Sequence, residues 1–272
     1  MTDSAKQGST DGKQRATVIA VTSGKGGVGK TSLSVNIACE FGRRGYRTVI
    51  VDADLGLANA HILAGIKPGR TLSDYIEGRA TLTEVIEEGP AKVRFISGGS
   101  GVKEMANLED GGRKRIIQAI EELRPHCDVI ILDTGAGVSR GVTDFVAMAD
   151  HTIVVTTSNF AAIADAYGII KVVVQDGYRN PIHCVVNRVR SPEEAEQVYM
   201  KLKGCTERFL SFDLNWLGLL PEDNSVEGAV VKRLPFSEAF PSSVASRYLA
   251  KLVTSLARYV SASPKVQPTP TR

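Results

Sequence analysis

The chain lacks most features that would commit it to a special environment. None of its stretches approaches the ~18 consecutive apolar residues that a membrane-crossing helix needs. Aromatic residues make up only 6% of its 272 positions, with a single tryptophan, Trp216. Net charge is just +3, and the positive residues sit in short scattered clusters such as Arg43/Arg44/Arg47 and Arg113/Lys114/Arg115. So dispersed a charge does not favour DNA binding. The four cysteines, Cys39, Cys127, Cys184 and Cys205, fall in no metal-ligand or C-x-x-C spacing. The first three lie in or beside apolar runs and read as small buried hydrophobes. The histidines His61, His126, His151 and His183 share no spacing either and point to structural roles. Residues 1–15 carry no apolar core of a secretory leader. Together these absences indicate a reducing cytoplasm.

What is present begins with Gly24-Lys25-Gly26-Gly27-Val28-Gly29-Lys30-Thr31. The apolar run Val18–Val21 precedes it and the helical pattern Ser32–Ala38 follows, which is the strand, glycine-rich turn and helix start of a phosphate-binding P-loop. The glycines let successive backbone N–H groups face an anion, and the helix N-terminus adds its positive dipole end. Lys30 is placed to reach the β- and γ-phosphates, and the Thr31 hydroxyl to ligate Mg²⁺. Ser32 continues the loop into the helix. Lys25, near the start of the loop, is unexplained by this pattern alone.

Thr48–Val51 is a second apolar strand and ends in Asp52-Ala53-Asp54. In a doubly wound sheet the C-terminal strand ends are where ligands sit. Two acids there, Asp52 and Asp54, stand where a ligand would sit, or else cap the next turn. Asp128–Asp133 repeats the arrangement, an apolar run closed by an acid, as in a Walker-B strand. The turn Thr134-Gly135-Ala136-Gly137 follows it.

Strands and helices alternate through the rest of the chain. Between Leu55 and Pro90 the spacing predicts short helical pieces, one of them carrying Leu82, Val85 and Ile86. The next expected elements are a strand at Val93–Ile96, a helix at Asp110–Arg124 and a strand at His151–Thr156. They are followed by a helix at Ala161–Val174, a strand at Ile182–Asn187, a helix at Pro192–Leu202 and a strand at Leu214–Leu219. Helices close the series at Ser225–Lys232 and Ser242–Val260. The last has a basic amphipathic character; packing on the sheet fits it better than lying on a bilayer, because no Trp or Phe anchors its apolar face. This alternation predicts an α/β fold, a doubly wound, mostly parallel sheet with helices on both faces. Residues 16–260 are expected to form one P-loop domain. A disordered tail is expected at 1–15 and a Pro/Ser/Thr-rich one at 261–272.

With these landmarks the chain resembles the MinD/ParA class of dimerising ATPases with a deviant Walker A motif. Lys25–Thr31 resembles that motif, Asp52–Asn59 switch I, and Asp133–Gly137 switch II. Within the class it is most similar to the flagellar-number regulators (FlhG, also called FleN), through Asp52–Asn59, the Ser100-Gly101 segment, Asp133–Gly137 leading to Phe145, and Asp165-Ala166-Tyr167 ahead of Ile170-Lys171. The resemblance implies ATP and Mg²⁺ as cofactors, a slow ATPase, and a homodimer with ATP that returns to monomer without it. Lys25 would cross the dimer interface to the partner's phosphates, or else serve its own phosphate or face solvent. By the same resemblance Asp54 handles the attacking water, and Asp52 and Asp133, with Thr31, hold the Mg²⁺ shell. Asn187 would contact adenine, or alternatively act only as a turn former, and Pro221-Glu222-Asp223 would line the base pocket. No guanine-reading N/T-K-x-D motif follows a late strand, which favours ATP over GTP.

Implied partners are flagellar regulators or basal-body components, with any membrane contact made peripherally through them. Ser158-Asn159-Phe160 departs from the family's Pro-Glu-Pro stretch. Residues 1–15 lack the Asp-Gln-Ala motif that stimulates a partner GTPase, and residues 261–272 do not form a membrane-targeting helix. A MinD-like division regulator and a ParA-like DNA-partitioning protein are the alternatives. A metal-cluster carrier of the same fold would need a cysteine pair that this chain lacks.

Overall fold

The computed structural model describes residues 15–54, 58–99 and 110–260. The expected tails, Leu55–Leu57 of the switch I stretch and the Ser100-Gly101 segment lie outside the described residues.

Among the described residues eight strands form one sheet: β1 (Thr17–Ser23), β2 (Thr48–Ala53), β3 (Ile86–Glu88), β4 (Arg94–Ile96), β5 (Val129–Ala136), β6 (His151–Thr156), β7 (Ile182–Val189) and β8 (Asn215–Pro221). Their order across the sheet is β3-β4-β2-β5-β1-β6-β7-β8. All neighbours run parallel except β3, which is antiparallel to β4 at the edge. The central strands are apolar throughout because both faces are covered: Val18, Ile19, Ala20 and Val21 of β1 are all fully buried.

On one face pack α1 (Lys30–Arg43), α8 (Asn224–Lys232), α9 (Phe236–Ala239) and α10 (Val244–Leu256), whose Leu33, Ile37, Phe236 and Leu249 join one core. The opposite face carries α4 (Asp110–Leu123), α5 (Arg140–Ala147), α6 (Phe160–Gln175) and α7 (Pro192–Leu210), with Ile116, Phe145, Ile169 and Val198 in the other core. Short α2 (Ala60–Leu63) and α3 (Leu72–Ile76) follow β2. This is the doubly wound α/β architecture expected from the alternation.

Several boundaries differ from expectation, each for a local reason. Leu82, Val85 and Ile86 do not share a helix: Thr83–Val85 is one 3₁₀ turn and Ile86 opens β3, where pairing with β4 overrides the spacing. Helix α7 runs eight residues beyond Leu202, through Lys203-Gly204, and stops only where Ser211 turns left-handed at φ 51°. Strand β5 absorbs Thr134–Ala136, so most of the expected switch II turn is still paired strand. Strand β7 continues past Asn187 to Val189. Helix α10 starts at Val244, where the Ser243 hydroxyl accepts from the Ser246 N–H, and α9 before it was not anticipated. Leu249, Leu252, Val253 and Leu256 of α10 are buried against the sheet. Among the described residues no helix is long and apolar enough to cross a membrane.

Candidate functional site

Strands β1, β2 and β5 end side by side, and the loop after β1 rises over their C-terminal ends. Gly27 and Gly29 take φ of +79° and +93°, values that favour glycine, and so curl the backbone from strand into helix. Gly24 lies against α6: a β-carbon there would overlap the Asp165 carbonyl. Ser23 Oγ donates to the Lys25 carbonyl at 2.8 Å, and Val28 is buried, so the loop is held at both ends. Gly26 has open space around it. The residues from Gly24 to Thr31 thus form a pre-shaped anion cradle at the start of α1, a 14-residue helix.

The two lysines part company here. Lys30 is buried, close enough to Asp133 for its charge to act on that carboxyl. Lys25 is exposed on the rim of an open polar pocket with Asn159, Arg188 and Arg190, and has no ion-pair partner among the described residues.

Asp52 and Asp133 are neighbours across the β2–β5 ladder and both are buried. Burial, then the charge of Asp133, pushes the Asp52 carboxyl well above the usual carboxylate range, against the N–H groups of Ala60 and Asp54. Burial likewise raises Asp133, opposed by Lys30 and the hydroxyls of Thr31 and Ser34. The Asp52 oxygens accept from Asp54 N (3.2 Å) and Ala60 N (2.9 Å), so this acid organises the loop after β2. Asp133 Oδ1 accepts from Ser34 Oγ at 2.8 Å, whereas its Oδ2 is buried with no hydrogen-bond partner among the described residues. A buried carboxylate oxygen left unpaired beside the Thr31 hydroxyl is the donor set a hard divalent cation would complete. The residues present therefore fit Mg²⁺, which Thr31, Asp133 and Asp52 would hold. Asp54 reaches over the same end of the sheet, with its Oδ1 beside Gly135.

A cleft beside Gly29 is lined by Ser32, Asn187, Leu220, Pro221, Asp223 and Phe236, among others. Asn187 sits inside β7 rather than at its end, and its amide is already engaged. Nδ2 donates to the Val28 carbonyl (2.8 Å) and Oδ1 accepts from Arg188 N (2.9 Å), leaving one donor and one acceptor site for a base. The cleft's far wall is tied to the loop's helix: Asn36 Oδ1 accepts from Ser237 N at 2.9 Å. Asp223 caps α8 through Ser225 N and also accepts from Ala245 N. Burial would raise its carboxyl, but these hydrogen bonds outweigh it and the pKa is lowered.

Three residues of the site escaped the sequence reading. Ser34 and Asn36 look like ordinary polar positions of a helix, and only the three-dimensional path of β5 and α9 reveals their partners. Arg188 has φ 55° in a β-bulge and lines both cavities; the sole sequence signal was its place after Asn187. The divergent stretch Ser158-Asn159-Phe160 forms the start of α6, where the Asn159 side chain caps the helix and Phe160 is 85% exposed.

Comparison with known proteins agrees with this geometry. Residues 19–236 match the CbiA family, the CobQ/CobB/MinD/ParA nucleotide-binding domain. The chain is 42% identical over 229 residues to the antiactivator FleN of Pseudomonas aeruginosa, covering 84% of this chain and 82% of that one. It is 30% identical over 245 residues to the flagellum site-determining protein YlxH of Helicobacter pylori, covering 89% and 82%. The septum site-determining protein MinD of Pyrococcus horikoshii, solved with Mg-ADP, superposes with a TM-score of 0.75 at 24% identity, over 90% of this chain and 97% of that one, and so shares the fold. The chain is a P-loop member of the CobQ/CobB/MinD/ParA nucleotide-binding family, with FleN among its relatives.

Proposed function

We propose that this protein is an ATP-dependent switch that dimerises around nucleotide, hydrolyses ATP slowly to ADP and phosphate, and regulates the number or placement of flagella. One observation carries the switch reading: Lys30 is buried at the phosphate cradle while Lys25, five residues earlier, stands exposed beside it with no ion-pair partner among the described residues. A lysine serving its own phosphates would gain from the first position. The second suits a phosphate on a facing copy, so that nucleotide completes the interface. The flagellar reading rests on the relatives FleN and YlxH. We take residues 16–260 as the ATPase domain.

Within the site the backbone N–H groups of Gly26–Thr31 would bind the phosphates and Lys30 would neutralise their charge. The cleft at Asn187 and Pro221 would seat the base. Asp54 would orient a water for attack, a positional contribution in a reaction with little covalent chemistry for the protein to perform. Mg²⁺ held by Thr31 and Asp133 would supply electrostatic stabilisation of the charge that develops on the phosphoryl oxygens.

The biological reading is tested by deleting the gene and counting flagella per cell by electron microscopy, scoring minicells in the same images. Altered flagellar number or position supports it; normal flagella with minicells would replace it by a division role. The switch is tested by light scattering: Lys25→Gln should lose ATP-dependent dimerisation while binding nucleotide, and Asp54→Ala should accumulate as an ATP-bound dimer. Normal dimerisation of the Lys25 variant would refute the trans role.

A further inference from the structure

At the β8 edge the sheet carries a shaped groove, separate from the cleft beside Gly29. Among the described residues strand β8 pairs only with β7, and α10 packs beside it. Between them lies a cavity of about 210 Å³ walled by Trp216, Leu217, Gly218, Tyr248, Lys251 and Leu252. Trp216 is 41% exposed and rests on Tyr199, with ring centroids 5.1 Å apart. Lys251 Nζ stands 5.1 Å from the Tyr248 ring centre. This is a small aromatic platform with a mostly apolar floor.

The strand is unsuited to accept another strand. Its register slips between Trp216, opposite Cys184, and Gly218, opposite Val185, and Gly218 has φ +155°. Such a bulge breaks the row of donors and acceptors that strand addition requires. An aromatic groove without a usable ladder fits a different ligand, an extended proline-rich segment in the polyproline II form, which carries its own backbone conformation and docks through ring faces.

The chain contains such a segment close by. After α10 the backbone makes one 3₁₀ turn, Ala257–Tyr259, and the described residues end at Val260. The sequence continues Ser-Ala-Ser-Pro-Lys-Val-Gln-Pro-Thr-Pro-Thr-Arg, with prolines at 264, 268 and 270. Pro268 and Pro270 would also leave two missing donors on one edge of any strand, again disfavouring a ladder. Ser255, in the groove wall, is five residues before Val260, roughly 8 Å away at helical rise. Polyproline II advances ~3.1 Å per residue, so Pro264 to Pro270 can span the groove after a short reversal. Tethering makes weak contacts sufficient. A short flexible connection gives an effective concentration of about a millimolar, so intrinsic affinity of the same order would keep the groove largely occupied.

We propose that the β8–α10 groove is a binding site for a proline-rich extended peptide and that residues 261–272 of this same chain are its occupant. The segment carries Lys265 and Arg272 and no acidic side chain, and the groove presents Lys251, so no side-chain ion pair supports the contact and added salt should not release it.

Trp216 is the single tryptophan of the chain, so intrinsic fluorescence reads this groove directly. The full chain and a full-chain Pro264→Ser/Pro268→Ser/Pro270→Ser variant are compared by acrylamide quenching at low and high salt and at several protein concentrations. The expected result is a quenching constant about twofold higher in the variant, restored by millimolar free peptide of sequence 261–272 and unaffected by salt. Equal quenching in the two proteins would overturn the proposal. So would quenching that falls with protein concentration irrespective of the prolines, since that would assign the groove to a second copy.

Discussion

A β-carbon added at Gly24 would overlap the backbone carbonyl of Asp165, so the phosphate loop and α6 touch with no side chain between them. Gly24→Ala must push backbone apart. The expected cost is about 3 kcal/mol, the upper range for overpacking, seen as a lower unfolding temperature of the nucleotide-free protein. Gly26 has nothing within 4 Å of such a carbon, and Gly26→Ala should unfold within about 0.5 kcal/mol of the parent. Equal behaviour of the two variants would contradict the close approach. At the acid pair, the single proton of Ser34 Oγ has two acceptors in reach, Asp133 Oδ1 at 2.8 Å and the Lys30 carbonyl at 3.0 Å. Ser34→Ala removes the donor from a buried carboxylate. It should cost about 1–2 kcal/mol by urea unfolding and weaken the Mg²⁺ dependence of nucleotide binding measured by calorimetry.

At the scale of elements, the end of the sheet opposite the site carries its own lock. His151 opens β6 and His183 lies at the start of β7, with His151 Nδ1 and His183 Nε2 3.2 Å apart. Tyr259, in the turn after α10, packs on both rings at 4.8 and 5.1 Å. Burial, then the neighbouring imidazole, drops His183 to about 4; burial also lowers His151, with Asp150 opposing. Both folded values lie below the ordinary histidine value. Stability is therefore full above pH ~6.5, and is lost as the pH falls from there toward about 4, where the unfolded chain takes up protons the folded one refuses. For His183 the loss between pH 7 and 5 should be about 2 kcal/mol. Urea midpoints at the two pH values should show it, and His183→Gln should remove most of it. The raised acids Asp52 and Asp133 act with the opposite sign in both proteins, so the comparison decides: an equal pH dependence in parent and variant would refute the assignment.

How much of this was readable beforehand differs from element to element. The P-loop, the acids ending β2 and β5 and the alternating order announce themselves because each depends on residues close in sequence. Strand β3 did not, since its three residues become a strand only through β4. The full length of α7 was hidden by Gly204, a helix-weakening residue that tertiary packing overrides. The histidine pair had no sequence signature because residues 32 positions apart meet only through the β6–β7 register. Ser34 and Asn187 follow the same rule: their type was visible, but their partners on β5 and in the phosphate loop were not.

At the scale of the whole molecule the open question is whether one chain holds a complete site. The geometry gives each chain Lys30, Asp54, Asp133 and the cradle, and leaves Lys25 pointing outward. If Lys25 acts across a two-fold interface, every site is built from two chains, and two different defects can cancel. The Lys25→Gln chain keeps its own Asp54 and can receive Lys25 from an Asp54→Ala partner. Their mixed dimer then has one whole site and one that lacks both groups. Random pairing would make half of the dimers mixed, each with one working site of two; because Asp54→Ala also traps its own dimers and Lys25→Gln pairs only through the partner's lysine, the mixture should recover hydrolysis up to roughly a quarter of the parent rate although neither variant is active alone. If Lys25 served its own phosphates, each site of the mixed dimer would lack one group and no activity would return. Steady-state phosphate release from the two variants, separately and mixed, distinguishes these outcomes without any knowledge of the cellular partner.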